Sequence, residues 1–216
     1  MIEMKTLSSH EEWLEVRSHY IGGSDASAVI GLNPYKTNLE LWQEKTGLVQ
    51  LEDIGDKSYV KYGHAAEPML RALFAVDFLE YEVGYEENNI WFNEDYPFAH
   101  ASLDGWLTDQ DGRKGVLEIK TTNILQSMQK EKWDHRIPDN YYIQVLHYLM
   151  VTGFDFAVLK AQLKFDFGGE ILLHTKHYKI ERSEVSEDIA YLARKEAEFW
   201  KCVKNNKKPA LLLPEI

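Results

Sequence analysis

The order of patterns along this chain predicts an α/β fold of the mixed α+β kind, with a central mixed β-sheet flanked by helices. Three observations carry that expectation. Helical periodicities fill the first third of the chain. Short strand-like runs separated by turn residues follow from Tyr81 to Thr121. A helical stretch from Tyr141 to Val151 then precedes two more alternating runs and a closing helix. Helices that precede, interrupt and follow a set of strands bury their apolar stripes by covering one sheet.

Each element has a local reason. Ser8 with Glu11 reads as a capping box that opens a helix through about Arg17. Gly22-Gly23 breaks it, and Ser24 is suited to cap a short helix from Asp25 to Ile30. Asn33-Pro34-Tyr35-Lys36 is a turn, and Thr37 with Glu40 makes a second capping box. Leu39, Leu41 and Trp42 begin an amphipathic helix that Gly47 ends. A longer helix is expected from about Lys57 to Phe78, with Val60, Leu70, Leu73, Phe74 and Val76 as its apolar set. Pro68 should kink or restart it. Strands are expected from Tyr81 to Tyr85, Asn89 to Phe92, Ala99 to Leu107 and Lys114 to Thr121. The runs from Asp155 to Phe165 and Ile171 to Ile180 form a hairpin joined at Gly168-Gly169. The last helix starts near Ser183 or Ser186 and carries Ile189, Leu192, Phe199 and Trp200. No repeat, low-complexity tract or Ser/Gly linker divides the chain, so residues 1–216 are expected to form a single domain.

Composition narrows the function classes. At 44% hydrophobic and 27% charged, the 216 residues can bury a proper core, like an ordinary soluble enzyme. No apolar run reaches the ~20 residues that span a bilayer, and Met1 to Thr6 lacks the apolar core of a signal peptide, so a cytoplasmic protein is expected. The single cysteine, Cys202, excludes internal disulfides and any all-cysteine zinc or iron–sulfur site. A net charge of −11 argues against a passive nucleic-acid binder, which carries a basic footprint. It leaves room for a metal-dependent nuclease, whose clustered carboxylates are neutralised by the cations they bind. Local positive charge would then come from Lys201, Lys204, Lys207 and Lys208, unless these form a solvated tail.

The chemistry concentrates on two neighbouring runs. Asp104 lies in Ser102-Leu103-Asp104-Gly105-Trp106-Leu107. The turn-forming Asp109-Gln110-Asp111-Gly112-Arg113 folds Val116-Leu117-Glu118-Ile119-Lys120 back beside it. On a strand, Glu118 and Lys120 share one face and Ile119 the other. Two carboxylates and an ammonium would therefore converge. Carboxylate pairs suit an oxygen-liking cation such as Mg²⁺, and a lysine beside them can orient or deprotonate a water, which is equipment for phosphodiester cleavage. The alternative is a charged, solvated strand face. The apolar wrapping by Val116, Leu117 and Ile119 speaks against it, because charges in a core strand are costly unless paired or metal-bound.

Five short motifs in series then resemble the YqaJ-like viral recombinase family. They are Ile21-Gly22-Gly23-Ser24-Asp25 through Leu32-Asn33-Pro34-Tyr35 with Arg17 ahead of it; Leu39-Glu40-Leu41-Trp42 through Gly47; Gly63-His64-Ala65-Ala66-Glu67-Pro68; the paired Ser102-Leu103-Asp104-Gly105 and Glu118-Ile119-Lys120; and Tyr142-Ile143-Gln144 through Tyr148. That family groups with lambda-type phage exonucleases in the PD-(D/E)XK, restriction-endonuclease-like fold. The resemblance covers about Trp13 to Gly153.

What the resemblance implies is specific. Asp104 and Glu118 become metal ligands, with the Ile119 carbonyl and the helical Glu67 completing the set, and Lys120 positions or activates the attacking water. Two Mg²⁺ ions are implied, with Mn²⁺ as substitute. Arg17, Ser24 and Ser102 match a pocket for the 5′-phosphate of the cut strand, and Gln144 holds the scissile region. Leu103 stands where the fold's motif has proline, a mild departure at the start of the strand. Read without the resemblance, Glu67 is an ordinary helix charge and Gly22-Gly23-Ser24-Asp25 a turn with a cap. The implied activity is digestion of linear double-stranded DNA from its 5′ end, leaving a 3′ single-stranded overhang. The implied setting is a phage- or prophage-encoded homotrimer working with a single-strand annealing protein in a bacterial host. An endonuclease of the same fold, or an inactive DNA-binding module, are the alternatives. His64, His100, His135, His147, His174 and His177 lack compact ligand spacing and read as structural or surface residues. Trp13, Trp42, Trp91 and Trp106 read as core.

Overall fold

The computed structural model describes residues 1–49 and 55–213. In chain order the elements are β1 (Ile2–Thr6), α1 (His10–Ser18), α2 (Gly23–Val29), α3 (Asn38–Lys45), α4 (Ser58–Asp77), β2 (Glu82–Gly84) and β3 (Asn89–Asn93). There follow β4 (Gly105–Thr108), β5 (Lys114–Ile124), α5 (Ser127–Glu131), α6 (Asp139–Thr152), β6 (Phe156–Phe167), β7 (Glu170–Glu181) and α7 (Ser186–Lys204). Five strands form a mixed sheet in the order β2-β4-β5-β6-β7, and β1 pairs separately with β3. All pairs are antiparallel except β5 with β6, and α5 and α6 supply the crossover that a parallel pair requires. This is the helix-flanked mixed sheet that the pattern order predicts.

β5 is the spine. Gly115 to Ile119 are buried in succession, as expected of a strand covered on both faces. On one face Leu70 and Phe74 of α4 pack against Leu107, Leu117, Ile119, Phe156 and Val158. On the other, α2, α6 and α7 cover Val116, Leu159 and Ala161. The Asp109 carboxylate closes the β4–β5 turn by accepting the N–H groups of Asp111 (3.0 Å) and Arg113 (2.9 Å). Thr37 and Glu40 form the expected reciprocal cap of α3.

Several expectations need correction. The cap of α1 is Ser9, whose hydroxyl accepts the Glu12 N–H, while Ser8 donates to the Glu12 carboxylate. Of two adjacent serines, the one at the turn takes the role. Ser24 is not a cap either: α2 starts at Gly23, and the Gly22 N–H donates to the Asp25 carboxylate at 3.2 Å. Pro68 does not restart α4, which runs unbroken from Ser58 to Asp77. Leu73 and Val76 face outward, 48% and 69% exposed, so the buried stripe of α4 is narrower than its apolar content. The expected strand from Ala99 to Leu107 is two things. Ala99 and Ala101 make isolated bridges to Ile21 and Trp91, and the ladder begins only at Gly105. Between them the Asn89 side chain satisfies both backbone groups of Leu103, at 2.9 Å each, in place of a strand neighbour. β1 carries no sequence expectation at all; its five residues are exposed and it gains order only by pairing with β3. Among the described residues no helix is long and apolar enough to cross a membrane.

Candidate active site

β4 pairs with β5 only from Gly105↔Leu117 outward, so the two strands part just beyond that step. Asp104 stands at the parting, where its carboxylate accepts the Ile119 backbone N–H at 2.8 Å. Glu118 is adjacent, 1% exposed, on the α6 side of β5. One of its oxygens, Oε1, accepts from Lys120 Nζ at 2.6 Å and from Gln144 Nε2 at 2.9 Å. The other, Oε2, is buried with no hydrogen-bond partner among the described residues. The alternation read from sequence holds: Glu118 and Lys120 share a face, and Ile119 packs under α4.

The electrostatics are those of a site short of positive charge. Burial first, and then the charges of Glu118 and Glu67, push the Asp104 carboxyl well above the usual carboxylate range. Burial also raises Glu118, although Lys120 opposes it. Burial disfavours the Lys120 ammonium, yet Glu118 and Asp104 more than offset that and raise its pKa. Lys120 is therefore cationic at neutral pH, suited to orient a water or an oxyanion rather than to take a proton. A buried, unpartnered carboxylate oxygen among like charges fits a divalent cation, which would relieve desolvation and repulsion together.

Glu67 reaches the same cleft from α4, but it is engaged. Its Oε1 pairs with Arg71 at 2.8 Å, one helical turn on. Among the described residues no three His, Cys, Asp or Glu side chains stand as a ready-made metal cage. Asp104, Glu118 and Glu67 line one cleft together with Ile119, and their oxygens could hold an ion.

Arg17, Ser24 and Ser102, expected to receive a phosphate, and Gln144 line the same cleft of about 690 Å³. Arg17 lies over the Trp13 ring at 3.9 Å, and the Ser102 hydroxyl is buried without a partner among the described residues. Burial lowers the Arg17 pKa, and Tyr148, Asp25 and Asp104 partly compensate. Gly23 has a packing role beside these residues. A Cβ on Gly23 would stand 2.4 Å from Tyr148 Cε1 and 3.0 Å from Gln144 Cγ, so the glycine lets α2 close against α6. That contact sets Tyr148, whose hydroxyl accepts from Gln144 Nε2 at 2.8 Å.

All nine residues expected at the site thus line one cleft, and Arg71, Tyr85, Trp13 and His64 are among the further residues that join them there. Arg71 and Tyr85 were unmarked, although an i, i+4 Glu–Arg pair on a helix is a legible signal. Trp13, expected in the core, is only half-buried and lines the cleft, and His64 is exposed at its edge. The cleft's positive charge comes from Arg17, Arg71 and Lys120; the C-terminal lysines are not part of its lining. His147, by contrast, is a sealed structural residue between the Glu196 carboxylate and the His100 carbonyl, each at 2.8 Å.

Comparison with known proteins gives the family and the fold. The chain is 35% identical over 193 residues to the uncharacterised protein YqaJ of Bacillus subtilis (strain 168), which accounts for 89% of this chain but only 56% of the relative. The chain therefore spans little more than half the length of that relative. Among solved structures, an alkaline exonuclease (LHK-Exo) from Laribacter hongkongensis superposes with a TM-score of 0.62 at 16% identity, covering 91% of this chain and 96% of that one. The same protein in complex with dAMP matches equally well. A phage related exonuclease from Haemophilus somnus 129PT gives a TM-score of 0.51 at 14% identity, covering 87% and 96%. At these identities the structural likeness speaks for the restriction-endonuclease-like fold. A model of the YqaJ-like viral recombinase domain matches residues 12–155, the stretch holding every residue of the cleft just described except His10, and the chain belongs to that family.

Proposed function

We propose that this chain is a metal-dependent deoxyribonuclease of the phage recombination type, digesting linear double-stranded DNA from the 5′ end to leave 3′ single-stranded overhangs. The observation that carries the reading is the conjunction, in one cleft, of a buried carboxylate pair, a lysine held as ammonium, and an arginine with two serines a short reach away. Divalent cations at Asp104, Glu118, the Ile119 carbonyl and Glu67 (two Mg²⁺, with Mn²⁺ as substitute) would supply Lewis acidity to the phosphodiester. Lys120 holds Glu118 in place and presents N–H donors to the reacting oxygens. Gln144 fixes the other side of Glu118 and, through Tyr148, the wall against which the strand lies. Arg17 offers a fork of donors to a terminal phosphate, and Ser102 an unspent hydroxyl. Recognition is of backbone and end rather than of sequence. A single nuclease domain over residues 1–216, a homotrimer, a single-strand annealing partner and a cytoplasmic, phage- or prophage-encoded setting belong to the same proposal and rest on family membership.

The test is incubation with linear and covalently closed duplex DNA, with and without Mg²⁺. Loss of the linear form alone, only with metal and not with Lys120→Ala, is the expected result. Cleavage of closed circles would make it an endonuclease. No cleavage in Mg²⁺ or Mn²⁺ would make it a binding module.

A further inference from the structure

Arg71 has no part in the nuclease reading, yet it is tied into the carboxylate cluster more tightly than any other cation except Lys120. Its side chain is 12% exposed. A single nitrogen, Nη1, donates both to Glu67 Oε1 at 2.8 Å and to the Asp104 carbonyl at 2.5 Å. The guanidinium lies over the Tyr85 ring at 3.4 Å. Gly105 leaves room for its stem: a Cβ there would meet Arg71 Cδ at 3.3 Å. The group is seated from α4, from the β4 backbone and from Tyr85, at the point where helical and strand carboxylates approach each other.

We propose that Arg71 is a positioning residue acting as an internal counter-cation: it holds the Glu67 carboxylate in reserve and competes for it with an incoming divalent cation. The inference rests on the reading that cations bind at Asp104, Glu118 and Glu67. Glu67 Oε1 cannot serve both partners fully, and two positive centres repel across one carboxylate. Release of Glu67 would leave Arg71 on the Asp104 carbonyl and Tyr85, so the strand carboxylate keeps its place while the helical one is exchanged.

The test is calorimetric titration of Mn²⁺ alone, without DNA, into the wild type, Arg71→Gln, Arg71→Lys, Glu67→Gln and the Glu67→Gln/Arg71→Gln double variant. Circular dichroism checks folding in parallel. Losing a half-buried ion pair that opposes binding should tighten Mn²⁺ binding about fivefold in Arg71→Gln. A lysine keeps the charge but lacks the planar guanidinium that seats on Tyr85, so it holds Glu67 less firmly and Arg71→Lys should gain about twofold. In the Glu67→Gln background removing Arg71 should gain nothing, because the negative carboxylate competed for is gone. Unchanged or weaker binding in both Arg71 variants overturns the proposal while leaving the nuclease reading intact. So does a gain that persists without Glu67. Should Arg71→Gln fail to fold, the Arg71→Lys comparison decides alone. Absence of Mn²⁺ binding in every variant overturns the cation reading and this inference together.

Discussion

Glu118 and Glu196 are the same residue type in nearly the same surroundings. Both are sealed from solvent (1% and 0% exposed), and each leaves one carboxylate oxygen without a partner among the described residues. Both are touched by α6, through Gln144 and His147 respectively, less than one helical turn apart. The difference lies in the charge around them. Glu196 meets His147 one to one, and although burial disfavours the imidazolium, Glu196 and the His100 carbonyl raise its pKa. Glu118 shares Lys120 with Asp104 and feels Glu67 as well, so negative charge is left over. Burial of a carboxylate therefore does not mark a site; an uncompensated excess of buried charge, open to a cleft, does.

The sharpest way to break this comparison is to neutralise each carboxylate. Glu118→Gln should reduce cleavage of linear duplex by roughly 10³-fold or more, as expected when a group at the reacting centre is lost. The metal-free fold should melt no lower than wild type, because a repelled charge has been removed. Glu196→Gln should keep cleavage within about threefold per folded molecule but lower stability by roughly 3 kcal/mol, the cost of removing one partner of a buried pair. Equal effects of the two changes on activity would erase the distinction. The pH dependence sharpens it. A raised histidine pKa contributes stability that is complete below the ordinary value of 6.5 and lost as pH rises through the folded value. The melting temperature should accordingly fall above that pH, and His147→Gln should remove this slope; a slope unchanged in the variant would refute the assignment.

Smaller effects probe the cleft walls. Gly23→Ala, driven into Tyr148 and Gln144, should cost about 2 kcal/mol and weaken cleavage through displacement of Gln144; a melting curve identical to wild type would refute the close contact. Arg17→Ala should slow digestion about tenfold more on 5′-phosphorylated than on 5′-hydroxyl ends, the worth of one charge-assisted contact. Equal slowing on the two ends would remove the phosphate-pocket assignment.

Much of the cleft was legible residue by residue. Strand alternation already put Glu118 and Lys120 on one face, and the Asp109–Arg113 turn returned β5 beside Asp104. The elements that were misread are those where two local signals compete. Ser8 and Ser9 are both caps by type, and only the hydrogen bonds choose between them. Pro68 breaks helices in isolation, but the packing of Leu70 and Phe74 beyond it keeps α4 continuous. The run from Ala99 to Leu107 has strand composition throughout. It pairs as a ladder only where a neighbouring backbone is available, and Asn89 takes the place of one at Leu103.

Sequence alone determined which chemistries were available: one cysteine, a Glu-x-Lys in an apolar run, an aspartate before it across a turn, and arginine and serines ahead of both. Those depend on spacing of a few residues, where the period of a strand or helix dictates direction. Tertiary structure alone decided that Gly23 lets α2 close against α6, that Trp13 borders the cleft, and that Arg71 sits between Glu67 and Asp104. Each of those joins groups from separate elements. Such contacts are set by how faces meet, which no local period encodes.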